Sequence, residues 1–277
     1  MKANSISLLI IFCFAFATGA KAQKKLWLEA SIEPKSSTGG DYFVPADANS
    51  SNPAWVPMGT AFTLKVNAGL AAHYYFNERI GVSAGVSFST AGHEYYNYMW
   101  SISGFTIEFK RKVALNYAEA PVQFHYIHSP AKKISLIATA GGYVAMLISY
   151  KDENKFFLYD GSKFFAIAEG KNYTQSVFIG ADTETESATL QEEPYNAYDY
   201  GAIIGIGVQF KILDTKYLTL LPEYRRGFMN IKNKTATFIF QNNTYLLWQN
   251  TYNNSPNAEE DYINSSFGLK IGLRFAL

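Results

Sequence analysis

The sequence predicts an all-β fold: an eight-stranded antiparallel transmembrane up-and-down β-barrel with short periplasmic turns and long extracellular loops. Three observations predict it. Apolar and polar residues alternate with period two through several long segments. The links between those segments alternate between short and long. The first residues have the layout of an export signal.

The N-terminal element comes first. Lys2 precedes an apolar run from Ile6 to Ala17, and Ala20-Lys21-Ala22 offers a small-x-small cleavage site. The run is shorter than the ~20 residues a membrane helix needs. Residues 1–22 are therefore expected to be a signal peptide, and residues 23–277 an outer-membrane β-barrel domain. Cys13 is the single cysteine and lies inside the apolar run, so the exported chain has neither disulfide nor cysteine metal site. Cleavage removes Lys2 and Lys21 and no acid, which leaves 22 basic against 23 acidic side chains. No basic surplus points to nucleic acid. The 20 tyrosines and 21 phenylalanines are dispersed among polar residues, and mean hydropathy is near zero.

The strands follow in order. Lys25–Glu33 is the first and a weak one. In Ala61–Phe76, Leu64, Val66, Ala68, Leu70, Ala72 and Tyr74 share one face, opposite Lys65, Asn67, Gly69, Ala71 and His73. In Arg79–Thr90, Ile80, Val82, Ala84, Val86 and Phe88 oppose glycines and serines. Lys112–His128 is a weaker fourth. In Lys133–Tyr150 the apolar face runs through Ile134, Leu136, Ala138, Ala140, Val144, Met146 and Ile148. In Tyr198–Lys211, Tyr198, Tyr200, Ile204, Ile206, Val208 and Phe210 oppose Asp199, Gly201, Gly205, Gly207 and Gln209. Lys216–Asn230 is a weaker seventh. The last, from Ile263, alternates most clearly: Phe267, Leu269, Ile271, Leu273 and Phe275 against Gly268, Lys270, Gly272 and Arg274. A tilted strand crosses a bilayer in ~9–11 residues, and several of these suffice.

Asn77-Glu78, Ser129–Lys132 and Leu213–Thr215 are the short links. Pro34–Thr60, Ala91–Arg111, Lys151–Ala197 and Ile231–Tyr262 are the long ones. Within the long links, Tyr95–Lys110 and Thr235–Trp248 read as hairpins, the second turning near Gln241-Asn242-Asn243. Alternation alone also fits a soluble barrel with an apolar interior. The export signal, strand count and link order favour the inverted arrangement, with bulky apolar residues outward and small or charged residues inward.

Several pieces together resemble the PorT-like outer-membrane β-barrel family of Bacteroidota, the "porin family". They are Ala68-Gly69-Leu70 running on to Tyr75-Phe76-Asn77-Glu78-Arg79, Leu115-Asn116-Tyr117-Ala118-Glu119-Ala120-Pro121, Ala140-Gly141-Gly142-Tyr143, Tyr198-Asp199-Tyr200-Gly201, Glu223-Tyr224-Arg225-Arg226-Gly227, and Gly268-Leu269-Lys270-Ile271-Gly272-Leu273-Arg274-Phe275. The resemblance implies a barrel in the outer membrane. The family includes a protein tied to secretion and gliding and many members of unknown role, so the resemblance implies fold and location far more firmly than activity.

On the polar face stand Glu29, Lys65, His73, Glu119, Gln123, His125, Asp199, Glu223, Arg225 and Lys270. The interior of eight strands is just wide enough for side chains, and buried charges there must pair. We expect a lumenal charge network of Glu119, Asp199, Glu223 and Arg225. Pro121 deletes a ladder hydrogen bond and is expected to mark a bulge or bend. His73 and His125 belong to strands two and four, separated by strand three, so no metal site is expected. The chain has no Gly-x-Ser-x-Gly elbow, P-loop, dinucleotide fingerprint or zinc motif. Trp27, Tyr74, Tyr75, Tyr126, Tyr150, Tyr198 and Tyr217 are expected in an interfacial aromatic belt.

The expected function is that of a non-enzymatic outer-membrane barrel, structural, surface-recognising or secretion-associated, with a lumen too narrow for a general pore. There is no expected catalytic residue and no cofactor. Expected partners are outer-membrane lipid and secretion-machinery or surface proteins, around a monomer. Two alternatives stay open: a barrel enzyme acting on lipid or peptide, and a soluble periplasmic barrel binding an apolar ligand.

Overall fold

The computed structural model describes the backbone of residues 26–38, 43–45, 55–57, 59–61, 63–102, 105–158, 163–169, 175–178, 185–190, 193–233, 237–240, 243–246 and 263–277. Side chains are described for 26–37, 63–94, 112–152, 193–233 and 263–277. The expected signal peptide lies outside the described residues.

Eight strands form the wall: β1 Leu26–Thr38, β2 Leu64–Tyr75, β3 Ile80–Ala91, β4 Phe105–His128, β5 Ile134–Leu158, β6 Tyr198–Leu213, β7 Lys216–Gly227 and β8 Ser265–Ala276. Each pairs antiparallel with its chain neighbours. β1 also pairs with β8, Trp27 opposite Ala276 through Thr38 opposite Ser265, so the sheet closes. Closure leaves no unpaired edge in the wall.

The alternation sets the faces as the sequence requires. Leu269 and Ile271 are 40% and 36% exposed and point outward, whereas Lys270 and Arg274 are 8% and 2% exposed inside. Leu70, Val86, Phe124, Val144 and Ile206 cover the outside of other strands. A soluble barrel with an apolar interior is therefore incompatible with this register.

The three short turns occupy one rim. Between β2 and β3, Asn77 Oδ1 accepts hydrogen bonds from the amides of Arg79 and Ile80, each at 2.8 Å. Between β4 and β5, Ser129 adopts φ 57° and its carbonyl accepts from Lys132 N at 3.1 Å. At the other rim β4 and β5 run on for 24 and 25 residues, more than twice what a crossing needs at ~9–11. Glu94–Ile102 pairs back on β4 and Lys163–Glu169 on β5. Thr237–Phe240 pairs with Asn243–Leu246, the hairpin expected there.

Three expectations are corrected. β1 does not end at Glu33 but continues through Pro34 to Thr38. Proline removes one donor, and the strand tolerates that: Pro34 stays opposite Val66 on the β2 side, while the β8 ladder is interrupted between Ile32↔Ile271 and Lys35↔Gly268. Pro121 likewise makes no bulge. The β3–β4 ladder keeps one register from Ala84↔Val122 to Ser87↔Glu119 across it. The bulge is in β5, where Asn116 faces Ser149 but Tyr117 faces Leu147, leaving Ile148 extra. That extra residue reverses the parity of β5, so Tyr150 turns inward.

The aromatic belt is correspondingly thinner. Tyr74, Tyr126 and Tyr198 face outward near strand ends. Tyr75 and Tyr150 are buried inside at 9% and 5% exposure. Trp27 and Tyr217 meet edge to face at the short-turn mouth, with ring centroids 5.1 Å apart.

Candidate functional site

The lumen is filled, and its contents form tiers. At the long-loop end β4, β5 and β6 contribute Val113, Leu115, Tyr117, Tyr143, Ala145, Tyr150 and Ile203 to an apolar cluster. Tyr195 and Ile231 close over it, on segments joined by a bridge between Tyr195 and Lys232. Asn196 Nδ2 ties this lid together by donating to the carbonyls of Asn230 and Lys232 at 2.8 and 3.1 Å. Gly92, at φ 107°, lets β3 leave the wall beside it, where a Cβ would lie 2.2 Å from the Val113 carbonyl oxygen.

Below the lid, Asp199 Oδ2 accepts from the Tyr143 hydroxyl at 3.3 Å and from Asn264 Nδ2 at 3.2 Å. Asp199 does not join Arg225. Ile203 is the β6 residue opposite Arg225, four positions further along. That displaces Asp199 by roughly 13 Å along the strand at ~3.3 Å per residue.

The middle tier holds the strongest convergence. Arg225 reaches Glu119 Oε2 at 2.8 Å, Glu33 Oε2 at 2.9 Å and Glu223 Oε2 at 3.0 Å. These acids stand on β4, β1 and β7, so the guanidinium spans the lumen. Gln123 donates to Glu223 at 3.1 Å and Asn67 to Glu33 at 3.0 Å. Lys35 donates to Ser89 Oγ at 2.7 Å. Of the four residues expected to form a network, the structure brings Glu119, Glu223 and Arg225 together and leaves Asp199 apart. Glu33, at the end of the expected first strand, is the member that sequence reasoning misses. Its four-residue spacing from Glu29 on an alternating strand, with Ser31 between them on the same face, is the available clue.

The third tier lies toward the short turns. Glu29 receives Arg274 Nε at 2.7 Å and Lys270 Nζ at 2.9 Å, with His73 Nε2 at 3.4 Å. Arg274 Nη1 also donates to the Tyr75 hydroxyl at 2.6 Å and to Gln209 Oε1 at 2.9 Å. The rings of His73 and His125 are 4.8 Å apart although β3 lies between their strands, because β3 presents only Ser83 there, 2.6 Å from His125 Nε2. Separation by one strand does not keep inward side chains apart in so narrow a barrel. Among the described residues no three His, Cys, Asp or Glu side chains are grouped to hold a metal ion. Lys65, further out on β2, is half-buried and outside these tiers.

The space left between the tiers is small. Cavities of about 20 and 30 Å³ flank Arg225, room for a water molecule or two. Below Arg274 the lumen opens into a cavity of about 510 Å³ at the short-turn mouth.

Among solved structures, the chain is similar to Neisserial surface protein A, at 13% identity over 93% of this chain and 100% of that one, TM-score 0.33. It is similar to the outer membrane protein OprG from Pseudomonas aeruginosa, at 9% identity over 91% and 96%, TM-score 0.40. It is also similar to the outer membrane protease OmpT from Escherichia coli, at 7% identity over 94% and 100%, TM-score 0.39. No curated protein matches the sequence. The model of the outer membrane protein beta-barrel domain matches residues 30–233, and the chain belongs to that family.

Proposed function

We propose that this outer-membrane barrel is a closed, non-enzymatic scaffold, exported through its N-terminal signal peptide, whose extensions beyond the bilayer serve recognition at the cell surface. The observation that carries this is the lumen. Arg225 bound by three carboxylates, and Arg274 and Lys270 bound by Glu29, cross it at two levels. The cavities beside Arg225 are far below the size of a hydrated ion path. Buried ion pairs that join several strands in this way hold a wall together rather than turn over a substrate. The mass of the protein beyond a crossing then sits in the prolongations of β4 and β5 and the hairpins paired with them.

The partners proposed are outer-membrane lipid around a single barrel, and surface or secretion-associated proteins at the extensions. A PorT-like role in Bacteroidota fits the sequence pieces quoted above. The test is conductance. Purified protein inserted into planar bilayers, with insertion verified by protease protection, is expected to give no steady single-channel current. A reproducible open-channel level would overturn the closed-scaffold reading.

A further inference from the structure

We infer that the cavity at the periplasmic mouth is a binding site for an organic carboxylate carrying an apolar or aromatic body. Short turns are periplasmic in outer-membrane barrels, and the turns at Asn77-Glu78 and Pro130-Ala131 form the rim of this cavity. Its volume of about 510 Å³ falls within the ~300–1,000 Å³ of ligand pockets. Trp27, Tyr217 and Ile127 supply an apolar and aromatic wall.

The floor is what selects the ligand. It consists of Arg274, Gln209 and Tyr75, and it is rich in donors and poor in acceptors. Arg274 spends Nε on Glu29 and Nη1 on Tyr75 and Gln209, while Nη2 makes no hydrogen bond among the described residues. Guanidinium only donates, so the oxygen of the Gln209 amide must face Arg274 and its NH₂ must face away. For the same reason the Tyr75 oxygen accepts from Arg274 and its own proton is left to give. Three donors thus line one floor without an acceptor. The guanidinium is 2% exposed, so it is held in place rather than free to swing into solvent.

The charge has the matching sign. Glu29 is the one carboxylate in contact with both Lys270 and Arg274, and Lys270 also stands 3.9 Å from Glu223, which leaves Arg274 as the cation facing the cavity. Glu78, at the rim, is the single acid among the lining residues. A carboxylate offers two acceptor oxygens to three donors and makes a charge-assisted hydrogen bond with Arg274. Its organic body then packs on Trp27 and Tyr217.

A free acid and the C-terminus of a peptide share this chemistry, and one experiment separates them. Full-length processed protein in detergent micelles is titrated with phenylpropionate and phenylpropionamide. It is then titrated with acetyl-Ala-Ala-Phe bearing a free or an amidated C-terminus. Binding is read by calorimetry and by Trp27 fluorescence, assigned with Trp27→Phe. At least one acid is expected to bind about tenfold more tightly than its amide. Binding of the peptide acid alone identifies a protein terminus as the ligand; binding of phenylpropionate alone identifies a small molecule. Gln209→Glu places a built-in carboxylate against Arg274 and is expected to weaken the acid about tenfold while the heat-dependent gel shift is retained. Acids that bind within twofold of their amides overturn the inference, whether or not the variant folds. So does a folded Gln209→Glu protein that binds as the parent does.

Discussion

Replacing Arg225 with methionine removes one cation from among three carboxylates. The guanidinium contacts Glu119, Glu33 and Glu223 at 2.8, 2.9 and 3.0 Å, and its side chain is 6% exposed. Methionine fills much of the same volume, so the loss is electrostatic rather than a cavity. What remains near Glu223 is Lys270, at 3.9 Å. Each charge-assisted hydrogen bond is worth about 1.5–3 kcal/mol, but the three share one donor group and do not add. Removal of one partner from a buried ionic cluster costs about 3–5 kcal/mol, and that is the expected destabilisation. The assay is equilibrium urea unfolding in lipid vesicles at neutral pH, followed by tryptophan fluorescence and the heat-dependent gel shift. Adding Glu33→Gln and Glu119→Gln to Arg225→Met removes two of the orphaned charges and is expected to restore about half of the loss. An Arg225→Met protein within about 1 kcal/mol of the parent would refute the clamp, because an exposed ion pair costs no more than that. Failure of the glutamine pair to restore anything would refute the electrostatic account even if the first loss were large.

Glu29→Gln leaves Arg274 and Lys270 without their shared counter-ion and is expected to cost about 3–5 kcal/mol in the same assay, with Lys270→Met recovering part of it. Leu70 is 65% exposed at the middle of β2, so Leu70→Arg is expected to cost about 2–4 kcal/mol in vesicles; a change under about 0.5 kcal/mol would put that face in water. A Cβ at position 272 would lie 2.8 Å from the Glu29 carboxyl carbon, which three partners hold in place, so Gly272→Ala is expected to lower stability by about 1–3 kcal/mol in urea unfolding. Ala72→Ser, on the outward face of β2, serves as the control and is expected to change stability by less than about 0.5 kcal/mol.

The faces of the strands were legible because period two is insensitive to everything except strand identity. Leu269, Lys270 and Ile271 fall on the sides that alternation assigns them, whatever happens in the loops. What alternation does not encode is height. Asp199 and Arg225 share the inward face of adjacent strands, yet the register puts Ile203, not Asp199, beside Arg225. Nor does it encode an inserted residue. Ile148 shifts β5 by one, and Tyr150, outward by the pattern of the residues before it, becomes an inward partner of Glu193 through its hydroxyl at 3.0 Å. Pro34 misled in a third way. It reads as a terminator, but a proline deletes only one donor, and a wall strand with a neighbour on each side keeps its place through the other. The cost of that misreading is Lys35, which lies inside and donates to Ser89 Oγ at 2.7 Å.

The inner face of β8 explains how so much charge fits into so narrow a cylinder. Inward positions alternate Gly268, Lys270, Gly272, Arg274, and those of β1 alternate Glu29, Ser31, Glu33, Lys35. Glu29 lies against Gly272 and Glu33 against Gly268, so each acid uses the space a missing Cβ leaves. Arg274 stands directly opposite Glu29 in the register, and Lys270, four residues along β8, reaches the same acid from the next level. Spacing of this kind lets carboxylates and guanidinium groups lie across the lumen and meet strands that are not neighbours, as Arg225 on β7 meets Glu119 on β4. The space at Gly268 is taken by Glu33, which Arg225 contacts, and that at Gly272 by Glu29, which Arg274 and Lys270 contact. The proposed closure thus follows from how the wall is stabilised. Opening a path would require breaking the ion pairs that Arg225, Arg274 and Lys270 make across the lumen.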